Sequence, residues 1–159
     1  MGRLGSVTRM RKTLLVVVAL LVAFSLAACA SNPPNLGFHR KAVRAKHNEK
    51  RSNHGVGSLA RSKYAHDRAQ EVANRVAAES GGGCVLNHTN GNQLLAWYNA
   101  ATAENLACVT GCIDSGAGFK AFWRSPPHRQ NILNGGYHRI GVGIQCVGSR
   151  SYFAVHLVA

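Results

Sequence analysis

The chain has 159 residues, with 19 Lys plus Arg against 6 Asp plus Glu and a formal net charge of +13 at pH 7. Hydrophobic residues make up 46% and charged residues 16%, which is too apolar for a disordered segment. These figures exclude two domains, a fibrous repeat and a multi-span membrane protein, and they leave both enzymes and binding modules open.

The N-terminus reads as an export signal. Arg9, Arg11 and Lys12 precede the apolar run Leu14–Phe24, which gives way to the small residues of Ser25-Leu26-Ala27-Ala28-Cys29. The run is shorter than the roughly 20 residues a spanning helix needs. Leu26-Ala27-Ala28-Cys29 resembles a bacterial lipobox, which implies cleavage after residue 28 and acylation of Cys29 by diacylglycerol and a fatty acid such as palmitate. Two acyl chains hold a protein stably at a membrane, at about 0.8 kcal/mol per buried methylene. The expected organisation is a signal peptide over 1–28, a lipidated tether over 29–38 containing Pro33-Pro34, and one domain over 39–159. That places the domain on the extracytoplasmic face of the cell membrane. Cys84, Cys108, Cys112 and Cys146 remain, an even number that outside the cytoplasm implies two disulfides of open pairing.

The predicted elements follow in order. Phe38 to Arg51 is basic and helix-compatible, and Ser52–Gly57 is a turn. Ser58 is placed to cap a second helix with apolar positions Leu59, Ala65, Ala69, Val72, Ala73 and Val76, ended by Gly81-Gly82-Gly83. Cys84 to Asn92 reads as irregular, Glu104–Val109 as a short strand and Ser115–Trp123 as a helix. Pro126 suits the first turn of another helix through Leu133, with Ser125 as its cap. Ile140, Val142, Ile144 and Cys146 alternate, as do Phe153, Val155 and Leu157, which predicts an antiparallel hairpin with one buried face. Helices early and strands late indicate an α+β layered domain.

Eight histidines among six carboxylates make histidine the place to look for chemistry. His39, His54 and His66 sit in polar surroundings and read as solvated. His138 and His156, at the hairpin, read as structural. His88, in Leu86-Asn87-His88-Thr89, and His128, in Ser125-Pro126-Pro127-His128-Arg129, flank Glu104. Two imidazoles and one carboxylate, if they converge, suit a divalent metal such as zinc or a general acid–base set. Their spacing is not that of a metal motif. No nucleophile elbow surrounds Ser125, so a serine hydrolase is not indicated.

Several further segments carry a resemblance. His47-Asn48-Glu49-Lys50-Arg51 fits an HNxxR element, Ala69-Gln70-x-x-Ala73-Asn74 follows on a helix, and Ala103-Glu104-Asn105-Leu106 resembles a GEN element. Trp123 to Leu133 matches W-x-S-P-x-H-R-x-N-I-L, and Tyr137 to Gly143 completes the series. In this order and over roughly residues 40–158, the chain resembles the CAP superfamily of cysteine-rich secretory proteins, insect venom antigens and plant pathogenesis-related proteins. The resemblance implies an α-β-α sandwich around a mostly antiparallel sheet, with His88, Glu104 and His128 lining a cleft. It further implies that His88 and His128 are metal-ligand candidates, and that apolar small molecules, such as sterols or fatty acids, or envelope components are the ligands. Ala103 replaces the usual glycine, and Ser115 to Pro127 lacks the second glutamate of animal and plant members. The tetrad is thereby reduced to a triad. That departure favours a binding module, with a metal-assisted hydrolase as the alternative. His47, Asn48 and Arg51 read as groups that fix the first helix to the sheet.

The positive charge is uneven. From residue 40 to 75 there are ten Lys or Arg against Glu49, Asp67 and Glu71. Just beyond a lipid anchor, such a segment is expected to face anionic lipid or acidic wall polymer, since each basic residue near the surface contributes about 1 kcal/mol. The export signal and the lack of interleaved aromatic residues argue against nucleic acid.

Overall fold

The computed structural model describes residues 35–159. The expected signal segment over 1–28 and residues 29–34 of the expected tether, Cys29 included, lie outside them. No helix among the described residues is long and apolar enough to cross a membrane.

Helix α1 spans Leu36–Ser52 and starts before Phe38, inside the span expected to be tether, because the Asn35 side chain accepts from the Phe38 amide. Its buried residues Val43, His47 and Arg51 recur every four positions and form one stripe. The HNxxR residues on and beside that stripe have clear structural partners. The Arg51 guanidinium donates to the carbonyls of Gly57, Ile132, Asn134 and Tyr137, and the Asn48 amide brackets the N–H and C=O of Leu59. These hydrogen bonds tie the helix to the residues that lead into the first strand and to the segment around 132–137. His47 is fully buried against Phe119 and Phe122, its Nδ1 donating to the Val43 carbonyl.

Because Leu59 is held extended in this way, Ala60–Arg61 forms a short strand, β1, and the next helix starts later than the sequence suggests. Helix α2 spans Lys63–Glu79, and its cap is Ser62, not Ser58. The Ser62 hydroxyl accepts from the Ala65 amide. Helix α3, Gly91–Tyr98, lies partly where an irregular stretch was expected. None of its residues is fully buried, and its apolar stripe of Leu94, Trp97 and Tyr98 is half-buried and only one turn long, too short to stand out in the sequence. Strand β2 (Thr102–Thr110), helix α4 (Ser115–Arg124), helix α5 (Pro126–Leu133) and the hairpin β3 (Arg139–Val147) and β4 (Arg150–Val158) follow. Ser125 occupies the cap position of α5, yet its hydroxyl makes no capping bond. Pro126 and Pro127 have no N–H to satisfy, which removes most of the need for one.

The sheet order is β1-β3-β4-β2, with β1 parallel to β3 and the other pairs antiparallel. β4 is buried on both faces, correcting the expected one-faced hairpin. On one face Val43, Phe119, Phe122 and Ile132 pack with Ile140, Val142, Ile144, Phe153, Val155 and Leu157. On the other, Ala69, Val72, Ala73 and Val76 of α2 pack with Leu106, Tyr152 and Ala154. This is the three-layer α-β-α arrangement. Gly141 and Gly143 make it possible: a Cβ on either would come within 2.1 Å of the α2 backbone at Ala65 or Ala69, so α2 rests directly on β3. Two disulfides, Cys84–Cys108 and Cys112–Cys146, pin the loop after α2 to β2 and the loop after β2 to β3.

Candidate functional site

Glu104 lies on β2, an outer strand, directly opposite His156 of β4. Its side chain is 2% exposed. A buried carboxylate is costly unless its oxygens are filled, and here all are. Oε1 accepts from His88 Nδ1 (2.9 Å) and the Thr89 amide (2.8 Å); Oε2 accepts from the Thr89 hydroxyl (2.7 Å) and His156 Nε2 (3.0 Å). Four donors match the roughly four lone-pair positions of a carboxylate. Burial pushes the acid up, but the hydrogen bonds from His156 and Thr89 outweigh it and hold the group at about 2.

Those bonds also set the histidine tautomers. A carboxylate only accepts, so His156 carries its proton on Nε2, and its Nδ1 accepts from the Tyr98 hydroxyl at 2.6 Å. Burial raises the Tyr98 phenol, with Tyr64 and Glu104 adding to the effect, so it stays a donor. His88 likewise donates from Nδ1. Its ring is 55% exposed, and Nε2 makes no hydrogen bond among the described residues. The site is therefore a chain, Tyr98–His156–Glu104–His88, that begins at the last residue of α3 and ends on one imidazole at the surface. The disulfide between Cys84 and Cys108 fixes the loop bearing His88 and Thr89 four residues along β2 from Glu104.

His128 arrives from the other side. Successive strand residues point to opposite faces, so Asn105 faces away from Glu104. Asn105 Nδ2 donates to the His128 carbonyl (3.2 Å), and Asn131 donates to Asn105 Oδ1 (2.9 Å). These bonds fasten α5 around the free edge of β2. The half-buried His128 ring packs edge-on against Phe122, and burial, followed by the charge of His88, lowers its basicity. Of the three expected site residues, His88 and Glu104 touch, while His128 bonds to neither and senses His88 only through its charge.

Thr89, His156 and Tyr98 were not anticipated as members of this cluster. His156 was expected to be a satisfied structural histidine, and it is one. The alternation of β4 places it on the face opposite Phe153, Val155 and Leu157, but only the register with β2 reveals its partner. The other histidines divide differently from expectation. His138 is exposed, His54 is exposed against Trp123, and His39 and His66 are half-buried.

Zinc held by all three expected residues does not fit this arrangement, because both Glu104 oxygens are already saturated by protein donors. Only the imidazoles of His88 and His128 remain. Among the described residues no group of three or more His, Cys, Asp or Glu side chains is suited to hold a metal.

The sequence matches the family model of the cysteine-rich secretory proteins (CAP) over residues 44–158, and the chain belongs to that family. No curated protein matches it by sequence. Its fold is similar to an outer surface protein of Borrelia burgdorferi, with a TM-score of 0.63 at 20% identity over 76% of this chain and 91% of that one. An extracellular protein of Bacillus anthracis containing an SCP domain gives 0.60 at 19% identity, over 77% of this chain and 40% of that one. NaASP2, solved with Zn2+, gives 0.60 at 14% identity over 75% and 78%. The chain thus spans under half the length of the Bacillus protein.

Proposed function

We propose that this is an extracytoplasmic CAP-domain protein, lipid-anchored through Cys29, that works as a binding module at the cell envelope for an apolar small ligand or an envelope component. The observation that carries this reading is the saturation of Glu104. A carboxylate with four protein donors and a pKa held near 2 is a positioning group, since it has neither a proton to give nor a lone pair to spare at neutral pH. It orients His88 and locks β2 to β4. The outer-surface and extracellular character of the Borrelia and Bacillus proteins supports the location. The basic segment 40–75 lies against anionic lipid or wall polymer in this reading.

Lipid extraction and mass spectrometry of the purified protein test the ligand. A co-purifying apolar molecule, with saturable uptake when it is added back, is expected; finding neither would end the binding reading. Cys29→Ser should release the protein from membranes into the medium, whereas unchanged retention would replace the lipid anchor with the apolar segment.

One observation favours a second reading, a hydrolase in which His88 acts as base or metal ligand: its Nδ1 is oriented by a carboxylate while Nε2 makes no protein hydrogen bond. Metal analysis and hydrolase assays on the wild type and on His88→Ala plus His128→Ala decide it. Equal metal content and equal turnover in both forms would remove this alternative.

A further inference from the structure

The sheet has a second edge, and a cavity of about 320 Å3 opens there, within the size range of small-ligand sites. It is lined by Arg40, Lys41 and Arg44 of α1, Arg61 of β1 and His66 of α2, over a floor that includes Ile140 and Val142 of β3. None of the residues of the Glu104 chain lines it.

The edge geometry explains why a hollow exists. β1 pairs only with Arg139 and Ile140, and then the chain turns into α2. Further along β3, the Gln70 side chain takes the place of a strand, donating to the Ile144 carbonyl and accepting from the Ile144 amide. Between them, Val142 pairs with Val155 of β4 but has no strand on its β1 side, and it forms part of the cavity floor. Four permanent cations converge above it. Arg40 gives one guanidinium nitrogen to Gln70, while its buried Nε has no partner. Asp67 is the acid whose field reaches Arg40 and His66, and Lys63 already engages it at 2.7 Å. Glu71 pairs with Arg68. Burial, then Arg40 and Arg61, push His66 below the ordinary histidine range, opposed by Asp67 and assisted by Lys63. Among the described residues, the excess positive charge at this edge therefore has no counterpart.

We infer that this cavity is a binding site for a phosphate ester, with the guanidinium groups of Arg40, Arg44 and Arg61 and the ammonium of Lys41 on the phosphate and the apolar floor beneath its organic part. Guanidinium forks match phosphate oxygens two at a time, and the compact Lys41 adds a point charge. The site deepens the reading of the basic segment: a shaped pocket, not a smeared positive surface, does the recognition. It stands whether or not Cys29 is acylated and whether or not an apolar ligand binds elsewhere.

The test titrates the full chain by calorimetry with glycerol 3-phosphate and, separately, with monomeric dioctanoyl-phosphatidylglycerol. Saturable binding of the first identifies a free phosphate ester or polyol phosphate as sufficient; binding of the second alone identifies a lipid headgroup; either supports the site. Arg61→Glu and Arg44→Glu should each weaken binding about tenfold or more, while Lys120→Glu, the same charge change outside the cavity, should alter it less than about twofold. Thermal melts on each variant confirm folding. Absence of saturable binding to both probes overturns the proposal, as does an equal loss in Lys120→Glu, which would leave bulk charge as the cause. A matching loss in His88→Ala would overturn it too, by moving the site to the Glu104 edge.

Discussion

The two edges of this sheet handle charge in opposite ways. At the β2 edge one negative charge is buried and every oxygen it has is matched to a donor, so the charge is structural and a single imidazole emerges from it. At the β1 edge several positive charges gather around a hollow with one engaged acid nearby, so the charge is unspent. A fully partnered buried ion contributes rigidity and loses much if cut. Half-exposed cations contribute little to folding and remain available to a partner. Burial, more than residue type, separates scaffold from recognition surface here.

The largest expected effect lies at the β2 edge. Glu104→Ala leaves His156 and the Thr89 amide buried without an acceptor and should cost about 3–5 kcal/mol in urea denaturation. A loss below about 1 kcal/mol would put the two edges on the same footing. Removing the disulfide that places His88, by Cys84→Ser with Cys108→Ser, should cost about 3 kcal/mol from the loop it closes. The same change should broaden the His88 ring signals in NMR spectra, and unchanged signals would mean the Glu104 bond alone holds the loop.

Acid should separate the contributions next. His47 is held at about 4 by burial, so the neutral ring's stabilising effect is complete above its ordinary 6.5 and is lost as pH falls toward 4. Glu104, held near 2, contributes fully above its ordinary 4.5 and loses that contribution as pH falls toward 2. Each shift corresponds to about 3 kcal/mol. Denaturation midpoints should therefore decline in two stages, and Glu104→Gln should abolish the lower stage while leaving the upper. A single stage unaffected by that substitution would show that the carboxylate is not what the acid attacks. The smallest effect belongs to the β1 edge: Arg61→Glu should change stability by no more than about 0.5 kcal/mol, since its side chain is exposed and holds nothing together. A larger loss would mean that the cavity is part of the scaffold.

What the sequence determined by itself was local or repetitive. Residue periodicity marked α1, most of α2, α4, α5 and the hairpin, because apolar spacing and prolines act over a few residues. Ordered motifs carried the family and hence the layered fold, and an even count of cysteines carried two disulfides. Residue type singled out His88, His128 and Glu104, and the resemblance made them members of one cleft. The tertiary structure alone decided how the cysteines pair, that His156 and Thr89 complete the carboxylate, and that His128 lies around the strand edge. Those facts depend on strand register and on which face α3 covers, and α3 offers only the short, half-buried stripe of Leu94, Trp97 and Tyr98. The cationic hollow was the least visible of all. Its arginines and lysine were plain in the chain as a charged run, but their convergence follows from β1 stopping after two residues and Gln70 taking over the edge. Such distances between chain-remote groups are set by packing, and no short stretch of sequence encodes them.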